Sequence, residues 1–89
     1  MEPRVALITG ANGGIGSAIA KNLLESSEQT RVYLAVRRNR GVAQVLASEY
    51  PARAQLIDLE VTDPASWQAA VEKVLTEQER LDILVNNAG

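Results

Sequence analysis

The 89-residue chain contains no cysteine, no histidine and no phenylalanine. Without cysteine there is neither a disulfide framework nor a thiolate metal site. Without histidine the commonest general base and metal ligand is missing. Basic excess is missing too: the formal net charge is −2 and the pI about 5.0, which argues against the electrostatic footprint of a nucleic-acid binder. A local basic spot for a small anion remains compatible with that balance. Long apolar runs are also lacking. The N-terminal one extends only over residues 5–8, and it follows Glu2 and Pro3 where a signal peptide would be basic. No stretch approaches the roughly 20 apolar residues of a membrane span. These absences lead to the expectation of a soluble, cytoplasmic globular piece, either one small domain or part of a larger one.

What is present alternates. Short apolar runs rich in β-branched residues occur at RVALIT (4–9), RVYLAV (31–36), AQLIDLEV (54–61) and LDILVN (81–86), with the length and composition of strands. Between them lie segments with helical spacing. Ile15, Ala18, Ile19 and Leu23 make one stripe, Val42, Val45 and Leu46 a second, and Trp67, Ala70, Val71, Val74 and Leu75 a third. The third has a clear start, because Asp63 suits the N-cap and Pro64 the first helical turn. This βαβαβαβ order predicts an α/β fold with four parallel strands and helices on the sheet faces. The near-continuous hydrophobics of RVALIT and LDILV suit strands covered on both sides. With no helical pattern after the fourth strand, residues 1–89 read as the first, N-terminal part of a single doubly wound, Rossmann-type domain.

Four of the six glycines fall between positions 10 and 16, in the stretch LITGANGGIGSAIA (7–20). Gly10, Gly14 and Gly16 read G-x-x-x-G-x-G between a predicted strand and a predicted helix. A tight turn alone does not account for so many glycines at the start of a helix, where each weakens helix formation. A phosphate-binding loop does: one glycine turns the chain out of the strand, one lets a phosphate approach the backbone, and one lets the helix pack closely on the strand. The helix start then offers free N–H groups and the positive end of its dipole.

The motif TGANGGIG resembles the T-G-x-x-x-G-x-G signature of the short-chain dehydrogenase/reductase family. The family's N-N-A-G signature stands intact at 86–89, at the end of the fourth predicted strand. The resemblance covers essentially the whole chain, and with Asn12 in the loop it looks most like the carbonyl reductases. It implies a nicotinamide cofactor held by the loop residues Gly10, Asn12, Gly13, Gly14, Ile15 and Gly16. Thr9 would tie the loop to the NNAG turn through its hydroxyl. Asn86 would border the adenosine ribose, Asn87 would hold the strand ends together, and Ala88 and Gly89 would line the cofactor.

The end of the second strand bears on cofactor choice. A site for NAD places Asp or Glu there for the ribose 2′-OH, whereas a site for NADP places positive charge for the 2′-phosphate. The sequence reads Val36, Arg37, Arg38, and no carboxylate lies between Glu28 and Glu49. Arg37 takes the position at which NADP-dependent family members carry Arg, with Arg38 and Arg40 beside it, so NADP is expected over NAD. Gly13 departs from the many NADP-using relatives that carry Lys or Arg before the second fingerprint glycine, which removes one cation from the phosphate. For adenine the family uses an acid and an aliphatic residue at the end of the third strand. Asp58–Leu59 and Glu60–Val61 are both candidates, and counting back from NNAG puts Glu60–Val61 at the family position. Two residues apart, Asp58 and Glu60 would share one face of a strand.

The resemblance also implies a catalytic Tyr, a Lys four residues after it, and a Ser. Tyr33 is followed at that spacing by Arg37, and Tyr50 by Ala54, so no catalytic residue is assigned. The expected function is the NADP-binding portion of an oxidoreductase that moves hydride between the cofactor and a small carbonyl or alcohol substrate, with no nucleic-acid, membrane or metal partner. The alternative is a dinucleotide-binding module without turnover of its own.

Overall fold

Seven elements succeed one another in a computed structural model that describes residues 4–37 and 41–87. Strands β1 (Val5–Thr9), β2 (Arg31–Val36), β3 (Ala54–Asp58) and β4 (Ile83–Val85) alternate with helices α1 (Gly14–Ser26), α2 (Gly41–Glu49) and α3 (Pro64–Gln78). The strands form one parallel sheet in the order β3-β2-β1-β4, a Rossmann-like arrangement. The chain steps outward from β1 to β3, then returns across β1 to place β4 on its other side. Right-handed crossovers in opposite directions put their helices on opposite faces.

The strand alternation sorts the core accordingly. Ala6, Ile8, Val32 and Leu34 face α1 and α2, where they meet Ala20, Leu24, Ala43 and Leu46. Val5, Leu7, Tyr33 and Ala35 face α3, where they meet Ala70 and Val74. β1 is buried at all five positions, as the continuous hydrophobic run predicts. The buried lines of α1 and α2 run one position away from the sequence stripes. Gly16, Ala20 and Leu24 are buried in α1, while Ile15 stands 69% exposed. Small residues at 16 and 20 let the helix lie close to the sheet, and that rotation turns Ile15 and Ala18 outward. Likewise Ala43 and Leu46 are buried in α2 and Val42 and Val45 are exposed.

Side chains close the element ends. Asp63 accepts from the Ala65 N–H at 3.0 Å and Pro64 opens α3, as read from the sequence. α3 ends on Glu79 in the left-handed region at φ 63°, with its N–H donated to Leu75 O. Arg53, in what reads as a polar connection, donates to the carbonyl oxygens of Leu24 (3.0 Å) and Ser27 (2.7 Å) at the end of α1. Tyr33 is 1% exposed; its hydroxyl donates to Glu77 Oε1 at 2.5 Å and accepts from Gln78 Nε2, which pins α3 to β2. Among the described residues no helix is long and apolar enough to cross a membrane.

β3 is shorter than the sequence run suggests. It ends at Asp58; the Leu59 N–H still reaches Val36 O at 3.1 Å, but Glu60 and Val61 lie in the turn that leads to the Asp63 cap. Asp58 and Glu60 therefore do not share a strand face.

The far end of the sheet is held by Asp82. Its Oδ2 accepts from the Val5 N–H at 2.8 Å, its own N–H donates to Val5 O, and Arg80 grips the carboxylate with Nε and Nη2. Arg80 first, and the Val5 N–H second, hold the Asp82 carboxyl below its ordinary value of 3.8. A folded-state value below the unfolded one stabilises fully above the unfolded value and is lost as pH falls through the folded one. Asp82→Asn is therefore expected to lower the melting temperature near neutral pH and to shrink the loss on acidification below about pH 4. Thermal melts of both proteins across that range check this, and an acid dependence identical to the parent's would contradict it.

Candidate functional site

The carboxyl ends of β1 and β4 stand side by side where the chain has reversed direction across the sheet, the place where open α/β sheets receive ligands. Thr9, fully buried at the end of β1, stitches the two ends together. Its Oγ1 accepts from the Asn87 N–H at 2.8 Å, and its proton has Asn86 Oδ1 (3.2 Å) and Val85 O (3.3 Å) within reach. The tie expected between the glycine loop and the NNAG turn is thus present. Ala88 and Gly89 lie outside the described residues.

The loop itself is built by three glycines with different jobs. Gly10 leaves β1 with φ 62°, in the left-handed region where a side chain is strained. Its carbonyl accepts from the Gly13 N–H at 3.0 Å and closes the turn. That carbonyl then lies under α1. A Cβ on Gly16 would stand 2.2 Å from Gly10 O, 2.9 Å from Gly10 C and 3.0 Å from Asn87 Nδ2, so only glycine fits. Gly14 is the opposite case, because a Cβ there meets nothing within 4 Å. The loop presents its open side at Gly14 and its closed side at Gly16.

The start of α1 also differs from that of α3. Gly13 is its N-cap, no side chain caps the first turn, and that turn holds no acidic residue. A helix start leaves its first N–H groups without intrahelical partners and carries partial positive charge. In α1 that first turn begins at Gly14, beside which a Cβ meets nothing, and continues through the exposed Ile15.

Asn12 has a partner the sequence did not disclose. Its Oδ1 accepts from the Val42 N–H at 2.9 Å, so the glycine loop is tied to the start of α2. The residues just before α2 include Arg38 and Arg40, which lie outside the described residues. Arg37 is described: it is exposed, and its Nε lies 2.5 Å from Glu60 Oε2. The Thr62 hydroxyl donates to Glu60 Oε1 at 2.9 Å, and the Glu60 N–H donates to Ser66 Oγ at 2.8 Å. Thr62 first, with Arg37 adding to it, holds the Glu60 carboxyl below the usual range. Val61 is 37% exposed, and its carbonyl accepts from Trp67 Nε1 at 2.8 Å. Trp67, expected in the helix core, is only partly buried and spans from the core to this turn.

The structure therefore gathers Gly10, Asn12, Gly13, Gly14, Ile15 and Gly16 in one loop, with Asn86 across the β1–β4 tie and Arg37 on Glu60. Sequence reasoning missed the Arg37–Glu60 pair and the Asn12–Val42 bond. Nothing local in the sequence signalled either. Neither tyrosine faces this region: Tyr33 is buried on α3, and Tyr50 packs on the α1/α2 side under Arg53, whose guanidinium lies 5.2 Å from its ring centre. Among the described residues no cluster of three or more Asp or Glu could hold a metal ion.

Comparison with known proteins agrees with this architecture. The family described as short chain dehydrogenase matches residues 4–89. The chain is 39% identical over 88 residues to the 3-oxoacyl-[acyl-carrier-protein] reductase FabG of Escherichia coli (strain K12), covering 99% of this chain and 35% of that protein. It is 46% identical over 93 residues to (+)-neomenthol dehydrogenase of Arabidopsis thaliana, covering 98% of this chain and 31% of that protein. The crystal structure of L-sorbose reductase from Gluconobacter frateurii, complexed with NADPH and L-sorbose, superposes with a TM-score of 0.78 at 34% identity, over 99% of this chain and 34% of that one. The chain thus spans about a third of the length of the curated relatives it matches.

The two inner glycines separate stability from any binding role. Gly16→Ala is expected to destabilise by about 1–3 kcal/mol or more, the cost of overpacking against backbone. Gly14→Ala is expected to leave the melting temperature unchanged or raised, since alanine is favoured over glycine in a helix by up to about 1 kcal/mol. Thermal unfolding of the two variants in parallel checks the contrast, and equal destabilisation would contradict it.

Proposed function

Because the chain belongs to the short-chain dehydrogenase family, we propose that it is the NADP-binding part of an oxidoreductase that acts on a small carbonyl or alcohol substrate. The observation that carries this is the open loop at Gly14 set against an uncapped helix start with no acidic residue in its first turn. That arrangement suits a dianionic pyrophosphate, which takes hydrogen bonds from first-turn N–H groups and gains from the helix dipole. When bound, the cofactor supplies or accepts the hydride.

In this reading each residue has a defined task. Gly10 turns the chain, Gly13 closes that turn onto the Gly10 carbonyl, Gly14 and Ile15 present backbone to the pyrophosphate, and Gly16 keeps the helix close. Asn12 holds the loop against α2. Arg37 takes the 2′-phosphate through its guanidinium, a group suited to bidentate phosphate recognition. Arg38 extends the positive charge. Glu60 and Val61 border the adenine, Asn86 borders the adenosine ribose, and Ala88 and Gly89 line the cofactor. The L-sorbose reductase complex, which contains NADPH, supports the choice of NADP. The names of FabG and neomenthol dehydrogenase support a carbonyl or alcohol substrate.

Cofactor binding is assigned to these 89 residues, and proton transfer is not. Tyr33 is spent on Glu77 and Gln78 inside the fold, and Tyr50 packs against the core.

Arg37→Asp is expected to weaken NADPH binding by about ten-fold or more, given the 1.5–3 kcal/mol of a hydrogen bond to a charged group, and to leave NADH binding nearly unchanged. Cofactor fluorescence titrations on the full-length protein check it. Equal affinity of the unmodified protein for NADPH and NADH would contradict the NADP assignment.

A further inference from the structure

We propose that Glu60 sets the strength of cofactor discrimination, by holding the Arg37 guanidinium as an internal counter-ion that a 2′-phosphate must displace; this rests on the NADP reading above. The carboxylate is not a loose surface group. Thr62 fixes Oε1 from one side, and the backbone of Glu60 is fixed by Ser66. Oε2 is left directed at Arg37 Nε, 2.5 Å away. One partner of the pair is therefore preorganised, which removes much of the side-chain entropy that weakens ordinary surface ion pairs.

The other partner is the more exposed one. The Arg37 side chain is 57% exposed, against 26% for Glu60. A phosphate arriving beside Arg37 meets a guanidinium whose charge is already matched, and it meets the Glu60 carboxylate as a like charge close by. Both effects act on NADPH and neither acts on NADH, whose ribose carries a neutral hydroxyl. The position matters because β2 ends on Val36 and carries no acid of its own. In this chain the acid that disfavours a 2′-phosphate comes instead from the turn after β3. It reaches across because it is glutamate, one methylene longer than aspartate.

The opposite role is also chemically coherent. A carboxylate on Nε could orient the two Nη groups toward the phosphate, and its removal would then weaken NADPH binding. The two roles predict opposite signs. Glu60→Gln keeps the shape and can still accept from Thr62, but it removes the charge.

The test is the ratio of NADH to NADPH dissociation constants, measured by calorimetric titration at low ionic strength on the full-length protein. It is measured for the parent, Glu60→Gln, Arg37→Gln and the double variant. Glu60→Gln should raise the ratio about two- to five-fold, the range that an exposed ion pair gives; any change at the adenine, which both cofactors share, enters the two constants alike and cancels in the ratio. In the Arg37→Gln background the gain should vanish. Glu60→Asp, which withdraws the carboxylate without removing it, should move the ratio in the same direction by less. A ratio that is unchanged or lowered in Glu60→Gln overturns the proposal, and so does a gain that survives without Arg37. If Arg37→Gln leaves the parent's ratio unaltered, the assignment of Arg37 to the 2′-phosphate fails, and the proposal falls with it.

Discussion

The carbonyl oxygen of Gly10 occupies the space that a side chain at position 16 would need, and much of the structure follows from that close approach. It presses the first turn of α1 onto the end of β1, so the buried line of the helix must begin with glycine and continue through Ala20 and Leu24. It requires Gly10 to leave the strand in the left-handed region. It also brings the loop against Asn87, whose N–H is held by the Thr9 hydroxyl. The ends of the two adjacent parallel strands and the start of one helix are thereby fixed as a unit. A ligand placed there meets backbone rather than side chains, and the backbone is held from three sides.

Charge is arranged around that unit by omission as much as by placement. α3 opens with the Asp63 carboxylate on the Ala65 N–H; α1 opens with Gly13 and no side-chain cap. The same helix-start physics is satisfied internally in one case and left open to an anion in the other. Arg37 is paired with Glu60, so the described cation proposed for the 2′-phosphate is conditioned by an acid from a different connection. Asn12 links the loop to the start of α2 through a single amide.

The fold was legible wherever burial is symmetric. RVALIT and RVYLAV are apolar inside their ends because β1 and β2 are covered on both faces, and the strand bounds follow those runs closely. Asp63–Pro64 announced the start of α3 because a cap and a fixed φ are local properties. Helix faces were harder to read. Ile15 looks like a core residue by hydrophobicity, yet the close packing at Gly16 turns it outward, and a small residue leaves no hydrophobic signal of its own. Val61 extended the third strand run on paper, but the cap at Asp63 requires a turn before it. The loop glycines and the Thr9 tie were readable from their motifs. The Arg37–Glu60 pair was not, since it joins residues 23 positions apart in sequence on two connections whose approach only the sheet order determines.

The central claim is that the loop at Gly14 receives a dinucleotide pyrophosphate while Arg37 receives its 2′-phosphate. A crystal structure of the protein with NADPH tests it most directly. The account predicts pyrophosphate oxygens within hydrogen-bond distance, about 2.7–3.2 Å, of backbone N–H groups at 14–16, and the 2′-phosphate against the Arg37 guanidinium. A pyrophosphate bound away from the start of α1, or a 2′-phosphate in solvent with Arg37 still on Glu60, would contradict it.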